Sequence, residues 1–103
     1  MSTIEASAIK KLIVACDAGM GSSVMLASTL KGQLKKTDVT VEHTPVASIP
    51  ADADVVVCHQ GLADRARSQA PDVPVIPFQV FLGDPAVTAL VKKITSGSGT
   101  VDG

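Results

Sequence analysis

Cys16 stands where an apolar run, Leu12-Ile13-Val14-Ala15, meets the stretch Asp17-Ala18-Gly19-Met20-Gly21-Ser22-Ser23, after which a helical period begins. Gly19 and Gly21 permit backbone conformations that turn successive N–H groups inward, forming an anion nest. A helix opening at Ser22 adds free amides and the positive end of its dipole. A phosphate-sized anion suits that nest, and a sulfur at its mouth is favoured as thiolate, the nucleophilic form. Thiolate and phosphate cradle together suggest phosphoryl transfer through a phosphocysteine. Two other glycine loops fit poorly. The third glycine of a dinucleotide fingerprint would fall at Val24, and no Lys precedes Ser22 as a Walker loop requires. The plain alternative for Cys16 is a small buried hydrophobe.

Other residues carry weaker signals. Asp17 would repel a dianion, so it reads either as an acceptor for loop N–H groups that shapes the nest or as a plain loop cap. Ser22 and Ser23 serve as helix caps or as hydroxyl donors to phosphate. His59, after a second apolar run, is either a hydrogen-bond donor to phosphate or a structural histidine. Cys58 reads as core, with a Cys16–Cys58 disulfide only as an inactivating side reaction. His43, Glu42, Lys31, Lys35 and Lys36 read as surface. Met20 and Val24, apolar where the loop meets solvent, are expected at a partner contact.

Composition narrows the classes. In 103 residues, 46% are hydrophobic, 18% are charged and the net charge is −1, so one folded domain is expected and disorder is excluded. Nine Lys and Arg against ten Asp and Glu give no basic field, and Phe78 and Phe81 are the only aromatics. Nucleic acid is therefore not an expected partner. The apolar runs are far shorter than the roughly 20 residues that span a bilayer. No secretory leader is read at the start. Two cysteines are too few for a disulfide framework or a structural zinc site. Neither metal nor cofactor is expected.

The elements that would position Cys16 alternate. Leu12–Cys16 and Asp54–Cys58 are continuous apolar runs and read as strands buried on both faces. Residues 22–36 follow a helical period, with Leu26, Ala27, Leu30 and Leu34 on one stripe. Val39–Thr44 alternates as a half-exposed strand. Leu62–Ala70 reads as a short helix. Val73–Phe78 is a strand that Pro74 and Pro77 push to an edge. Asp84-Pro85 is an N-cap and first-position pair opening a helix with Val87, Leu90, Val91 and Ile94 inward. Residues 1–8 and 96–103 read as tails, the second flexible, flanking a domain over 9–95.

This order predicts an α/β fold: an open four-stranded parallel sheet, order 2-1-3-4, with three helices packed on both faces and the Cys loop between the first strand and first helix. The chain reverses direction between the first and third strands, where open α/β sheets bind ligands. Cys16, Cys58 and His59 all end strands at that crevice.

Lys11-Leu12-Ile13-Val14-Ala15-Cys16-Asp17-Ala18-Gly19-Met20-Gly21-Ser22-Ser23 resembles the signature loop of the IIB domain of the bacterial mannitol phosphotransferase system (PTS). The likeness extends over roughly residues 10–95, including the Cys58-His59 pair and an acidic residue after Phe81-Leu82. It implies that Cys16 accepts a phosphoryl group from a phosphohistidine on a IIA partner (EIIA). The group then passes to a sugar alcohol held by a membrane-embedded IIC partner (EIIC), in a cytoplasmic domain peripheral to the inner membrane. Residues Asp17, Ala18, Gly19, Met20, Gly21, Ser22 and Ser23 would be the phosphate cradle. Where such domains often carry Arg after the strand-end His, this chain has Gln60, so that help must come from elsewhere, for instance Arg65, or be absent. A small cysteine phosphatase or arsenate-reductase-like enzyme is the alternative, but its loop needs Arg six residues after the Cys, where Ser22 stands. A regulatory phosphocysteine module is the other.

Overall fold

The computed structural model describes residues 3–16, 22–35, 37, 39–79, 85–97 and 99–102. Strands β1 (Thr3–Glu5), β2 (Lys11–Cys16), β3 (Thr40–Pro45), β4 (Val55–His59), β5 (Val75–Phe78) and β6 (Thr100–Asp102) are joined by helices α1 (Ser22–Gln33) after β2, α2 (Ala63–Gln69) after β4 and α3 (Pro85–Ser96) after β5, and by short 3-10 turns between β1 and β2 and between β3 and β4. Four strands form one sheet in the order β3-β2-β4-β5, every neighbouring pair parallel. That is the predicted order, and the two uninterrupted apolar runs occupy its centre.

Alternation along the central strands sorts their side chains into two cores. Leu12 and Val14 of β2, with Val55 and Val57 of β4, face Leu26, Ala27, Leu30 and Leu34 of α1 and Val87, Leu90 and Ile94 of α3. Ile13 and Ala15, with Val56 and Cys58, face Leu62, Ala63, Ala66 and Ala70 around α2. Two helices therefore cover one face and one covers the other, as a parallel sheet requires. Each fully buried valine of β4 contributes about 1.5–3 kcal/mol. Strand β5 takes the edge, with Pro77 inside it and Pro74 just before it. Pro85 begins α3, while its expected cap, Asp84, lies outside the described residues.

The reading of both ends as tails is corrected. β1 and β6 pair antiparallel, with Thr3 opposite Asp102 and Ile4 opposite Val101. Gly97 (φ 68°) takes the left-handed conformation that ends α3, its N–H donating to the Lys93 carbonyl at 3.0 Å. Gly99 (φ 86°) continues the turn into β6, and its carbonyl accepts the Ala6 N–H at 3.0 Å. The Lys93 ammonium holds the Thr100 carbonyl at 2.9 Å. Val101, 3% exposed, thereby joins the α1–α3 core. Burial of Val101 and Ala6, with ladder hydrogen bonds between the strands, offsets the entropy a glycine-rich segment loses on ordering.

At the end where the strands begin, polar groups are paired. The Asp54 carboxylate accepts the Lys10 and Lys11 N–H groups at 2.7 and 2.9 Å. The Lys11 ammonium lies 3.1 Å from Asp52 and 3.6 Å from Glu42. The hydrogen bond that its ammonium donates to Asp52, with the charges of Asp52 and Glu42, raises the Lys11 pKa above its ordinary value.

Candidate functional site

The sequence places Cys16 at the end of a buried strand, and the fold puts that end at the point of reversal. β2 lies between β3 and β4, so the chain leaves it toward one side and later returns on the other. Cys16 is level with Pro45 of β3. On the other side the ladder pairs Ala15 with Cys58, so Cys16 and His59 occupy the next level, on strands about 4.8 Å apart. The backbone of Ser22 and Ser23 opens α1. Asp17, Ala18, Gly19, Met20 and Gly21 lie outside the described residues, as do the side chains of Cys16, Ser22, Ser23 and Val24. Their assigned roles therefore stay expectations.

The half-buried His59 ring is fixed on two sides. Its Nδ1 accepts the Gly61 N–H at 3.2 Å, capping the short 3-10 turn Gln60–Leu62. It meets Phe78 edge to face, centroids 5.9 Å apart and planes at 89°. Phe78 is its partner in the β4–β5 ladder. One step further on, Gln79 Nε2 donates to Gln60 Oε1 at 3.1 Å, across a cleft of about 340 Å³ that Pro77, Pro85 and Ala86 also line. Gln60, where the resemblance led us to expect Arg, thus ties β4 to the end of β5.

Cys58, one level below His59, is 0% exposed. Burial pushes its thiol up to about 11, and the charge of Arg67 opposes this only in part. It is a core residue, as expected, and stays a protonated thiol near neutral pH. His43 is exposed on the edge strand β3, and Arg65 is exposed on α2. Met25 of α1, 60% exposed, is the large hydrophobic side chain left outside the core among the described residues. Among them no helix is long and apolar enough to cross a membrane, and no three His, Cys, Asp or Glu group as metal ligands.

Sequence reasoning identified His59 but missed Gly61 and Gln79. His59-Gln60-Gly61 carries a signal that could have found the first, because a side-chain acceptor two residues before an N–H at a strand end commonly closes a turn. Nothing local marks Gln79, whose partner is 19 positions away.

Comparison with known proteins agrees with this geometry. The family model "PTS system, Lactose/Cellobiose specific IIB subunit" matches residues 11–93. A mannitol-specific EIICB component of the PTS from Bacillus subtilis (strain 168) is 40% identical over 95 residues, covering 90% of this chain and 20% of that protein. An EIICBA component from Vibrio cholerae, also mannitol-specific, is 41% identical over 93 residues, 88% of this chain and 14% of that protein. A cryptic EIICB component from Escherichia coli (strain K12), likewise mannitol-specific, is 38% identical over 92 residues, 87% of this chain and 20% of that protein. The chain thus spans a fifth or less of the length of these curated relatives. With the family model spanning the whole of the four-stranded sheet and all but the last turn of α3, the chain belongs to the PTS IIB family.

Proposed function

We propose that this chain is a phosphoryl carrier, with Cys16 taking the group from a phosphohistidine on a IIA partner and delivering it to a sugar alcohol bound by a membrane IIC partner. The observation that carries this reading is the position of Cys16, ending a central strand at the sheet's reversal point with α1 starting six residues on, in a chain of the IIB family. Amides and hydroxyls of Asp17 through Ser23 form the cradle, in a domain acting at the cytoplasmic face of the membrane. Transfer of this kind depends on positioning and charge stabilisation. Mannitol is favoured as acceptor because the relatives that match about nine-tenths of the chain are mannitol-specific, although the family model carries a lactose/cellobiose description.

Phosphorus NMR after incubation with a phosphorylated IIA protein tests the chemistry. A thiophosphate resonance is expected in the wild type and none in Cys16→Ser. Its absence from the wild type, or persistence in the variant, overturns the reading. Adding membranes that carry a mannitol-specific IIC protein should then yield mannitol phosphate.

A further inference from the structure

Among the described residues, β1 and β6 ladder only with each other, through three antiparallel pairs from Thr3–Asp102 to Glu5–Thr100. A two-stranded ribbon of that size is marginal on its own in water. It is held at the last turn of α3. The Gly97 N–H donates to the Lys93 and Ile94 carbonyls at 3.0 and 3.2 Å, and the Lys93 ammonium donates to the Thr100 carbonyl at 2.9 Å. β6 and the turn Ala6–Ala8 both pack on α3. The Ala6 N–H donates to the Gly99 carbonyl at 3.0 Å, and Val101, opposite the half-buried Ile4, enters the α1–α3 core. Against these few contacts stands the entropy of Gly97 and Gly99, at φ 68° and 86°, a residue type that loses more freedom on ordering than any other. The four-stranded sheet is held far more firmly, by ladders of four to six pairs and by Val55, Val56 and Val57 with no exposure.

We propose that the β1–β6 ribbon is a latch that opens and recloses as one unit while the four-stranded sheet stays folded. Val101 is the side chain it withdraws from the core, and the Lys93–Thr100 hydrogen bond helps hold it shut. Each strand is the other's ladder partner, so release of β6 frees β1 as well, although the two lie at opposite ends of the sequence. Both strands therefore change state together. Local opening of this kind exposes little surface, whereas opening β4 requires the whole domain to unfold.

Hydrogen exchange followed by NMR on the full chain tests this. The Ala6 amide reports the ribbon, and the Val56 amide, bonded to the Pro74 carbonyl at 3.0 Å, reports the sheet. Ala6 should be less protected than Val56 by ~100-fold or more, and nearly indifferent to low urea, which accelerates Val56. Ile13→Val, which weakens the core on the other face of the sheet, should speed Val56 ~5-fold. It should leave Ala6 unchanged, because it destabilises the closed and open ribbon alike. Lys93→Met should speed Ala6 ~5-fold, although Lys93 bonds β6 and Ala6 adjoins β1. Equal protection and urea dependence at Ala6 and Val56, or an equal response of both to Ile13→Val, makes the ribbon part of the global unit and overturns the proposal. An Ala6 amide that ignores Lys93→Met means that the strands fray separately, and an unprotected one means that the ribbon does not close. Either result also overturns it. If a variant fails to fold, the wild-type protection and its urea dependence decide.

Discussion

The two ends of the four-stranded sheet are built from different chemistry. Where the strands begin, charged groups are paired: Asp54 on the Lys10 and Lys11 amides, and the Lys11 ammonium between Asp52 and Glu42. Where they finish, the described contacts join neutral groups: His59 with Gly61 and Phe78, and Gln60 with Gln79. A charged cross-brace at the finishing end would compete with any anion held there, because carboxylates repel phosphate and bound cations are already neutralised. Among the described contacts of the sheet, the charged ones thus lie where the strands begin.

The largest expected effect breaks the comparison into its two halves. Cys16→Ser should abolish phosphocysteine formation completely while leaving the urea midpoint within error of wild type. Asp54→Ala should do the reverse, losing about 2 kcal/mol in urea denaturation because two backbone amides lose a charged acceptor, with phosphorylation of Cys16 retained at saturating donor. A loss of transfer in Asp54→Ala that outlasts refolding would show that the ends are not independent.

Smaller effects sharpen the contrast through pH. Cys58 has its folded pKa raised from 9.0 to about 11, so above pH 9 the unfolded chain releases a proton that the folded chain keeps. Stability is therefore lost as pH rises from 9 to 11, by about 1.4 kcal/mol per unit. Cys58→Ala should remove this slope at a cavity cost of about 1 kcal/mol at neutral pH. Lys11 also has a raised folded pKa, so its contribution is present below 10.5 and fades as pH climbs through the folded value. Lys11→Met should lower the midpoint slightly below pH 10.5 and remove the further decline that Lys11 adds above it, the smallest of these changes, and leave the Cys58 slope intact.

Much of this arrangement was legible in the residues. Uninterrupted apolar runs marked β2 and β4 as central, and alternation in Val39–Thr44 and the prolines of Val73–Phe78 marked β3 and β5 as edges, which fixed the order and brought Cys16 beside His59. The β1–β6 ribbon was not legible, since three-residue strands have no period and pair across nearly the whole chain, as Thr3 does with Asp102. Helix α1 ends at Gln33, short of the expected Lys36, because the Thr37 hydroxyl and N–H both take the Leu34 carbonyl, at 2.6 and 2.9 Å, and close a turn there. The Asp54 bracket and the Gln60–Gln79 bond were also missed, because each joins groups far apart in sequence whose meeting depends on strand register.

Pairing of Thr3 with Asp102 also has a mechanical meaning. Any polypeptide joined ahead of β1 or beyond β6 departs from one shared end of this ribbon, opposite the Glu5–Thr100 pair that adjoins the turn Ala6–Ala8. Two linkers attached there would share one point of departure, and their length and stiffness would set the effective concentration of whatever they tether.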